Sequence, residues 1–306
     1  MVILNNIYKT YNKGNTKAVT DVSLTINDGE LFGLIGPDGA GKTSLFRILT
    51  TLLIADKGTA SVNGFDVVKD YRNIRRSVGY MPGRFSLYQD LTVKENLDFF
   101  ATLFNTTLAE NYHLIKDIYI QIEKFKDRRA GQLSGGMKQK LALCCALIHK
   151  PTTLFLDEPT TGVDPVSRKE FWEMLKRLKA QGITIMVATP YMDEANLCDR
   201  IALMQNGHIL SVDTPANITA AYTETIYAVK ANNMYSLLNC LKEYPDNTGC
   251  YAFGEYAHLS LSASDNNTEN KIRKFIADKQ IESSEIKQIK PGIEDAFIKL
   301  MITHNT

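Results

Sequence analysis

No stretch of this 306-residue chain approaches the roughly 18 to 20 consecutive apolar residues that a membrane-spanning helix needs. The chain is therefore expected to stay in water and to borrow any membrane role from a partner. Excess charge is missing too: 35 Lys and Arg nearly cancel 34 Asp and Glu, which argues against an electrostatic nucleic-acid binder. The five cysteines (Cys144, Cys145, Cys198, Cys240, Cys250) have no C-x-x-C spacing, and the five histidines no ligand spacing. Reduced thiols in a cytosolic protein are expected, with the histidines structural or on the surface. Met1 to Tyr11 lacks the apolar core of a signal peptide.

What the chain does carry is two glycine-rich segments suited to phosphate. Leu31 to Ile35 is a continuous apolar run that reads as a buried parallel strand. It feeds into Gly36-Pro37-Asp38-Gly39-Ala40-Gly41-Lys42-Thr43, which fits G-x-x-x-x-G-K-[ST]. Leu45, Ile48, Leu49, Leu52 and Leu53 then predict a helical stripe. In that strand, loop, helix context the backbone N–H groups from Gly39 to Thr43 face phosphates. Lys42 supplies a charge to the β- and γ-phosphates, the Thr43 hydroxyl ligates Mg²⁺, and Ser44 reaches the α-phosphate.

Far downstream, Leu133-Ser134-Gly135-Gly136-Met137-Lys138-Gln139 opens a second helix on glycines, again an anion-binding start. Thr153 to Asp157 is a short apolar strand ending in two acids, Asp157 and Glu158, and Thr160-Thr161-Gly162-Val163-Asp164-Pro165 follows.

In kind, order and spacing these segments resemble the ATP-binding cassette (ABC) ATPases, and the multidrug and antibiotic export branch in particular. There the Leu-Ser-Gly-Gly of one subunit closes over nucleotide held by the Walker A loop of another. The resemblance implies an α/β P-loop fold binding ATP and Mg²⁺, with a helical subdomain at about residues 84–140. It implies a homodimer, or a heterodimer with a second ABC ATPase. It also implies a transmembrane permease as partner, no nucleic acid, and a place in the cytoplasm on the inner face of the cell membrane.

The site residues carry over one by one. Gly36 to Ser44 hold the phosphates. Thr43 and Asp157 bind Mg²⁺, the latter through water. Lys42 is catalytic, and Glu158 orients or deprotonates the attacking water. Ser134, Gly135, Gly136, Gln139 and Asp164 serve the nucleotide of the opposite subunit. Tyr11 stands where the family stacks an aromatic on adenine; a tyrosine packing at a strand end is the alternative.

Three residues depart from the family. Asp38 replaces the usual Asn, with a modest effect expected. Gly83 stands where the family carries Gln, and Pro190 where it carries the switch His. Glycine has no side chain, and proline donates from neither ring nor backbone. The chain's own site should therefore be weak, while the parts it lends a neighbour are intact. An ATP-binding regulatory subunit with little turnover, paired with a complete ATPase, is the competing reading. A soluble ABC protein acting on ribosomes or DNA is disfavoured, because the chain has neither a second cassette nor a long coiled coil.

The first domain is expected to span 1–221. From 222 to 306 the pattern β-α-β-β-α-β predicts a ferredoxin-like accessory domain. It closes on Pro291-Gly292-Ile293-Glu294-Asp295-Ala296-Phe297, which resembles the tail of export-type ABC ATPases.

Overall fold

Short apolar runs, Asn-Gly turns and amphipathic helices set the architecture, and the computed structural model describes residues 1–305. By contacts the chain divides into Met1–Pro215, rejoined by the residues from Leu300, and a second unit, Ala216–Lys299.

The first unit begins with β1 (Val2–Tyr11), β2 (Thr16–Ile26), β3 (Leu31–Ile35) and α1 (Lys42–Leu49). Next come β4 (Lys57–Val62), β5 (Phe65–Asp66), α2 (Tyr71–Ser77) and β6 (Val78–Met81). Three helices follow: α3 (Val93–Leu103), α4 (Leu108–Tyr119) and α5 (Gly135–Leu147). The unit continues through β7 (Thr153–Asp157), α6 (Pro165–Ala180), β8 (Thr184–Thr189), β9 (Arg200–Gln205) and β10 (His208–Asp213). An antiparallel sheet runs β2-β1-β4-β5, and a six-stranded sheet runs β10-β9-β3-β8-β7-β6. In the second sheet only β10 is antiparallel to its neighbour.

Every residue of β3, β7 and β8 is buried, as parallel strands covered on both faces require. Pairing is in step: Ile35 lies beside Thr189, Asp157 beside Ala188, and Met81 beside Leu156. The carboxyl ends of β3, β8, β7 and β6 therefore line up, and in open α/β sheets ligands bind at that edge. Phe46 of α1 meets Phe155 of β7 edge-on at 5.7 Å, both fully buried. Truncating either ring would cost about 3–5 kcal/mol and loosen the phosphate-loop helix from its sheet.

Two Asn-Gly pairs make the hairpin turns between β4 and β5 and between β9 and β10. Asn63 and Gly64 have φ of 54° and 81°, Asn206 and Gly207 of 48° and 83°, the left-handed pair a tight hairpin needs. Capping boxes at Thr92/Glu95 and Thr107/Glu110 start α3 and α4. The stripe expected through Leu53 is shorter in the structure. Helix α1 stops at Leu49, Thr51 turns left-handed (φ 64°), and Leu52 is 56% exposed.

After α7 (Pro215–Ala220), the second unit holds β11 (Thr225–Ala231), α8 (Met234–Lys242), β12 (Asn247–Phe253) and β13 (Tyr256–Leu261). It goes on with α9 (Thr268–Asp278) and β14 (Ser283–Ile289), and α10 (Ile293–Asn305) ends the described chain. Its antiparallel sheet is ordered β12-β13-β11-β14, the ferredoxin-like arrangement. Leu237, Leu241, Ile272 and Ile276 from the two helices join Val229, Leu259 and Ile286 of the strands in one core.

Candidate functional site

The phosphate loop is shaped by backbone that only glycine allows. A β-carbon at Gly36 would stand 2.1 Å from the Met204 carbonyl oxygen, and one at Gly41 2.1 Å from that of Ala18. Gly41 is also left-handed (φ 110°) and caps α1, so the amides of Lys42, Thr43 and Ser44 open the helix without intrahelical acceptors. Lys42 is buried, and its Nζ donates to the carbonyls of Gly36 (2.7 Å) and Pro37 (2.9 Å). Burial holds its ammonium below the ordinary lysine range, against the opposing pull of the Glu158, Asp38 and Asp157 carboxylates. One buried cation and three carboxylates make a site that favours a further positive charge.

Asp157 and Glu158 end β7 at the same edge. Asp157 is 2% exposed, and its Oδ1 has no hydrogen-bond partner among the described residues. Burial pushes its carboxyl pKa up, countered by a hydrogen bond with the Thr43 side chain and by Lys42 and Arg47. An unpaired, buried carboxylate oxygen on a carboxyl that bonds the Thr43 hydroxyl is the donor set that suits a hard divalent cation, so the residues fit Mg²⁺. Glu158 takes a left-handed φ of 50°, an uncommon conformation for a residue with a side chain, and its amide donates to the Ala188 carbonyl at 2.8 Å.

The Tyr11 hydroxyl lies 3.1 Å from Ser44 Oγ, which puts the end of β1 beside the phosphate-loop helix. The second glycine pair is elsewhere. Ser134 caps α5, its hydroxyl accepting from the Met137 amide, and Ser134 and Gly135 are exposed. A β-carbon at Gly135 would stand 2.9 Å from the Gly162 carbonyl oxygen, and one at Gly136 2.8 Å from Ser167 Oγ. That segment thus packs on the turn bearing Asp164, which is exposed and caps α6 by accepting from the Ser167 amide at 3.0 Å. Gln139 lines a cavity of about 310 Å³ with Tyr80, Met81, Phe85, Phe100 and His149.

Gly83 is exposed beside the end of β7, and Pro190 directly follows β8. Neither has a side-chain donor to offer the acids. Two residues escaped the sequence reading. Glu194, 1% exposed, accepts hydrogen bonds from the hydroxyls of Thr160 and Thr189, both at 2.6 Å. Arg168 lies 3.7 Å from that carboxylate and stacks over Tyr191. Nothing in Tyr191-Met192-Asp193-Glu194-Ala195-Asn196 singles out Glu194 over its exposed neighbour Asp193, so the sequence offered no signal for it.

Residues 19–161 match the family model described as ABC transporter. The chain is 38% identical over 306 residues to the probable multidrug ABC transporter ATP-binding protein YbhF of Escherichia coli K12. The match covers 98% of this chain and 52% of that protein, so the chain spans about half the length of that relative. It is 39% identical over 213 residues to the Nod factor export ATP-binding protein I of Burkholderia lata, 69% of each chain. Among solved structures it is similar to the dimeric ATP-binding cassette MJ0796 in a post-hydrolysis state with ADP and Pi. The identity is 26% and the TM-score 0.64, over 70% of this chain and 98% of that one.

Proposed function

This chain belongs to the ABC transporter ATP-binding proteins of the export type, and we propose that it binds MgATP at Gly36–Ser44, pairs with a second cassette and energises a separate transmembrane permease. One observation carries the reading. Lys42 is surrounded by Gly36, Pro37, Asp157 and Glu158, whereas Gly135 and Gly136 pack against Gly162 and Ser167. The two phosphate-binding segments keep different company, which supports each serving as half of a site completed by another copy or cousin.

In this reading the Thr43 hydroxyl and Asp157 would hold Mg²⁺, which would supply charge neutralisation to the triphosphate. Lys42 gives up its loop carbonyls for phosphate oxygens. Glu158 orients the attacking water and takes its proton. Tyr11 stacks on adenine. Ser134, Gly135, Gly136 and Asp164 serve the neighbour's nucleotide. The cavity walled by Tyr80, Phe100 and His149 reaches Met81 and Pro82, next to Gly83, and is the surface assigned to the permease. No helix among the described residues is long and apolar enough to cross a membrane, so that partner has to supply the spans. The protein then works at the inner face of the cell membrane.

Gly83 and Pro190 favour a second reading, a regulatory subunit that binds ATP and turns over little beside a complete ATPase. Either way the cassettes meet on nucleotide. With Glu158→Gln to stop hydrolysis, sedimentation at saturating MgATP should show a dimer. A monomer under those conditions, also with a complete companion cassette supplied, would overturn the proposal.

A further inference from the structure

Glu194 joins two loops that the sheet brings side by side. Its Oε1 accepts from Thr160 Oγ1 and its Oε2 from Thr189 Oγ1. Thr160 begins the turn leading to Asp164, and Thr189 ends β8; both are fully buried. Thr189 is in turn tied to the phosphate loop, since the Gly36 amide donates to its carbonyl at 3.3 Å. Bonded contacts therefore run from the phosphate cradle through Thr189 and Glu194 to Thr160.

A second strand of the same network is incomplete. Arg168 Nε stands 3.7 Å from Glu194 Oε1, too far for a hydrogen bond, and it is buried with no hydrogen-bond partner among the described residues. A shift of about 0.8 Å would close a charge-assisted hydrogen bond between them. Arg168 also grips the loop after β8, its guanidinium 4.3 Å from the centre of the Tyr191 ring. Its amide donates to the Asp164 carbonyl at 2.9 Å, the first backbone bond of α6, so Arg168 and Asp164 share one helical turn.

We infer that Glu194 is a positioning residue: by closing on Arg168 it ties nucleotide in the Gly36–Ser44 cradle to the placement of Asp164 at the face offered to a second cassette. The inference rests on the dimerising reading above. It gives this chain a link between phosphate and partner that needs no donor from Pro190. The end of β8 is sensed through its backbone and Thr189 instead.

Coupling of this kind is demonstrated only by non-additivity. In the Glu158→Gln background, Glu194→Gln should leave the affinity for MgATP within twofold, measured with a fluorescent nucleotide, and weaken MgATP-driven dimerisation tenfold or more. Combined with Asp164→Ala, which itself weakens dimerisation, it should add less than a further twofold. A purely structural role predicts additive losses, or a parallel loss of nucleotide binding, and either overturns the inference. Should Glu194→Gln fail to fold, Thr160→Val carries the same expectations and the same power to refute. If the Glu158→Gln background itself never dimerises, the dimerising reading falls first and this inference with it. If the background dimerises and the variants match it, the inference alone falls.

Discussion

A β-carbon placed on Gly83 would stand 3.7 Å from that of Glu158 and 3.3 Å from the carbonyl oxygen of Asp157. A side chain there would lie against the acids, with the neighbour yielding a few tenths of an ångström. Restoring donors at both empty positions, Gly83→Gln with Pro190→His, should raise steady-state ATP turnover by about a hundredfold or more, since one positioned donor is worth about that much. Unchanged turnover with ATP binding intact would refute the weak-site reading.

Asp157 is destabilising as a carboxylate until a cation meets it. Burial raises its folded pKa, so between the ordinary value of 3.8 and that raised value the native state binds more protons than the unfolded one. Its contribution to stability therefore declines as pH rises through that window. Asp157→Asn should raise the Mg²⁺-free melting temperature at pH 7 by about 2–4 °C, equivalent to about 1 kcal/mol. The same change should abolish the added stabilisation by MgATP. A lower melting temperature in Mg²⁺-free buffer would contradict this account of the site.

Asp56 has the opposite sign. The Lys9 ammonium and the Thr10 hydroxyl and amide all donate to it and hold its carboxyl down to about 2. The stability it contributes is present above pH 3.8 and is lost as pH falls toward 2. Its side chain is 36% exposed, so solvent screening leaves about 1 kcal/mol. Urea denaturation of Asp56→Asn should show that loss at pH 7 and almost none near pH 2. An equal deficit at both would mean packing, not charge.

The five thiols are all free and buried, and burial pushes Cys144, Cys145 and Cys198 well above the ordinary range. A thiol reagent at pH 8 should label the folded protein far more slowly than the urea-unfolded chain. Rapid labelling of Cys144 or Cys145 in the native state would show that α5 opens locally.

The parts of the site legible in sequence are those where a local rule meets chemistry. Gly36 and Gly41 were readable because no other residue fits their backbone, and β3, β7 and β8 because buried parallel strands are continuous apolar runs. The order of the second unit's strands and helices followed from alternation. Helix α1 ended early because Thr51 turned left-handed, which propensity does not announce. Glu194 was invisible as a hub because Thr160 lies 34 residues from it, and only the pairing of β7 with β8 brings them together. Gln139, one helical turn past Gly135 and Gly136, also lines the cavity shared with Phe85 and His149.

The in-step pairing of β3, β8 and β7 has an evolutionary corollary. Gly83 and Pro190 lie just past the ends of β6 and β8, outside the strand ladders. A substitution at such a place bears on the neighbouring acids without touching the strands that form the scaffold. A lineage could drift between motor and silent companion, and back, at almost no structural risk.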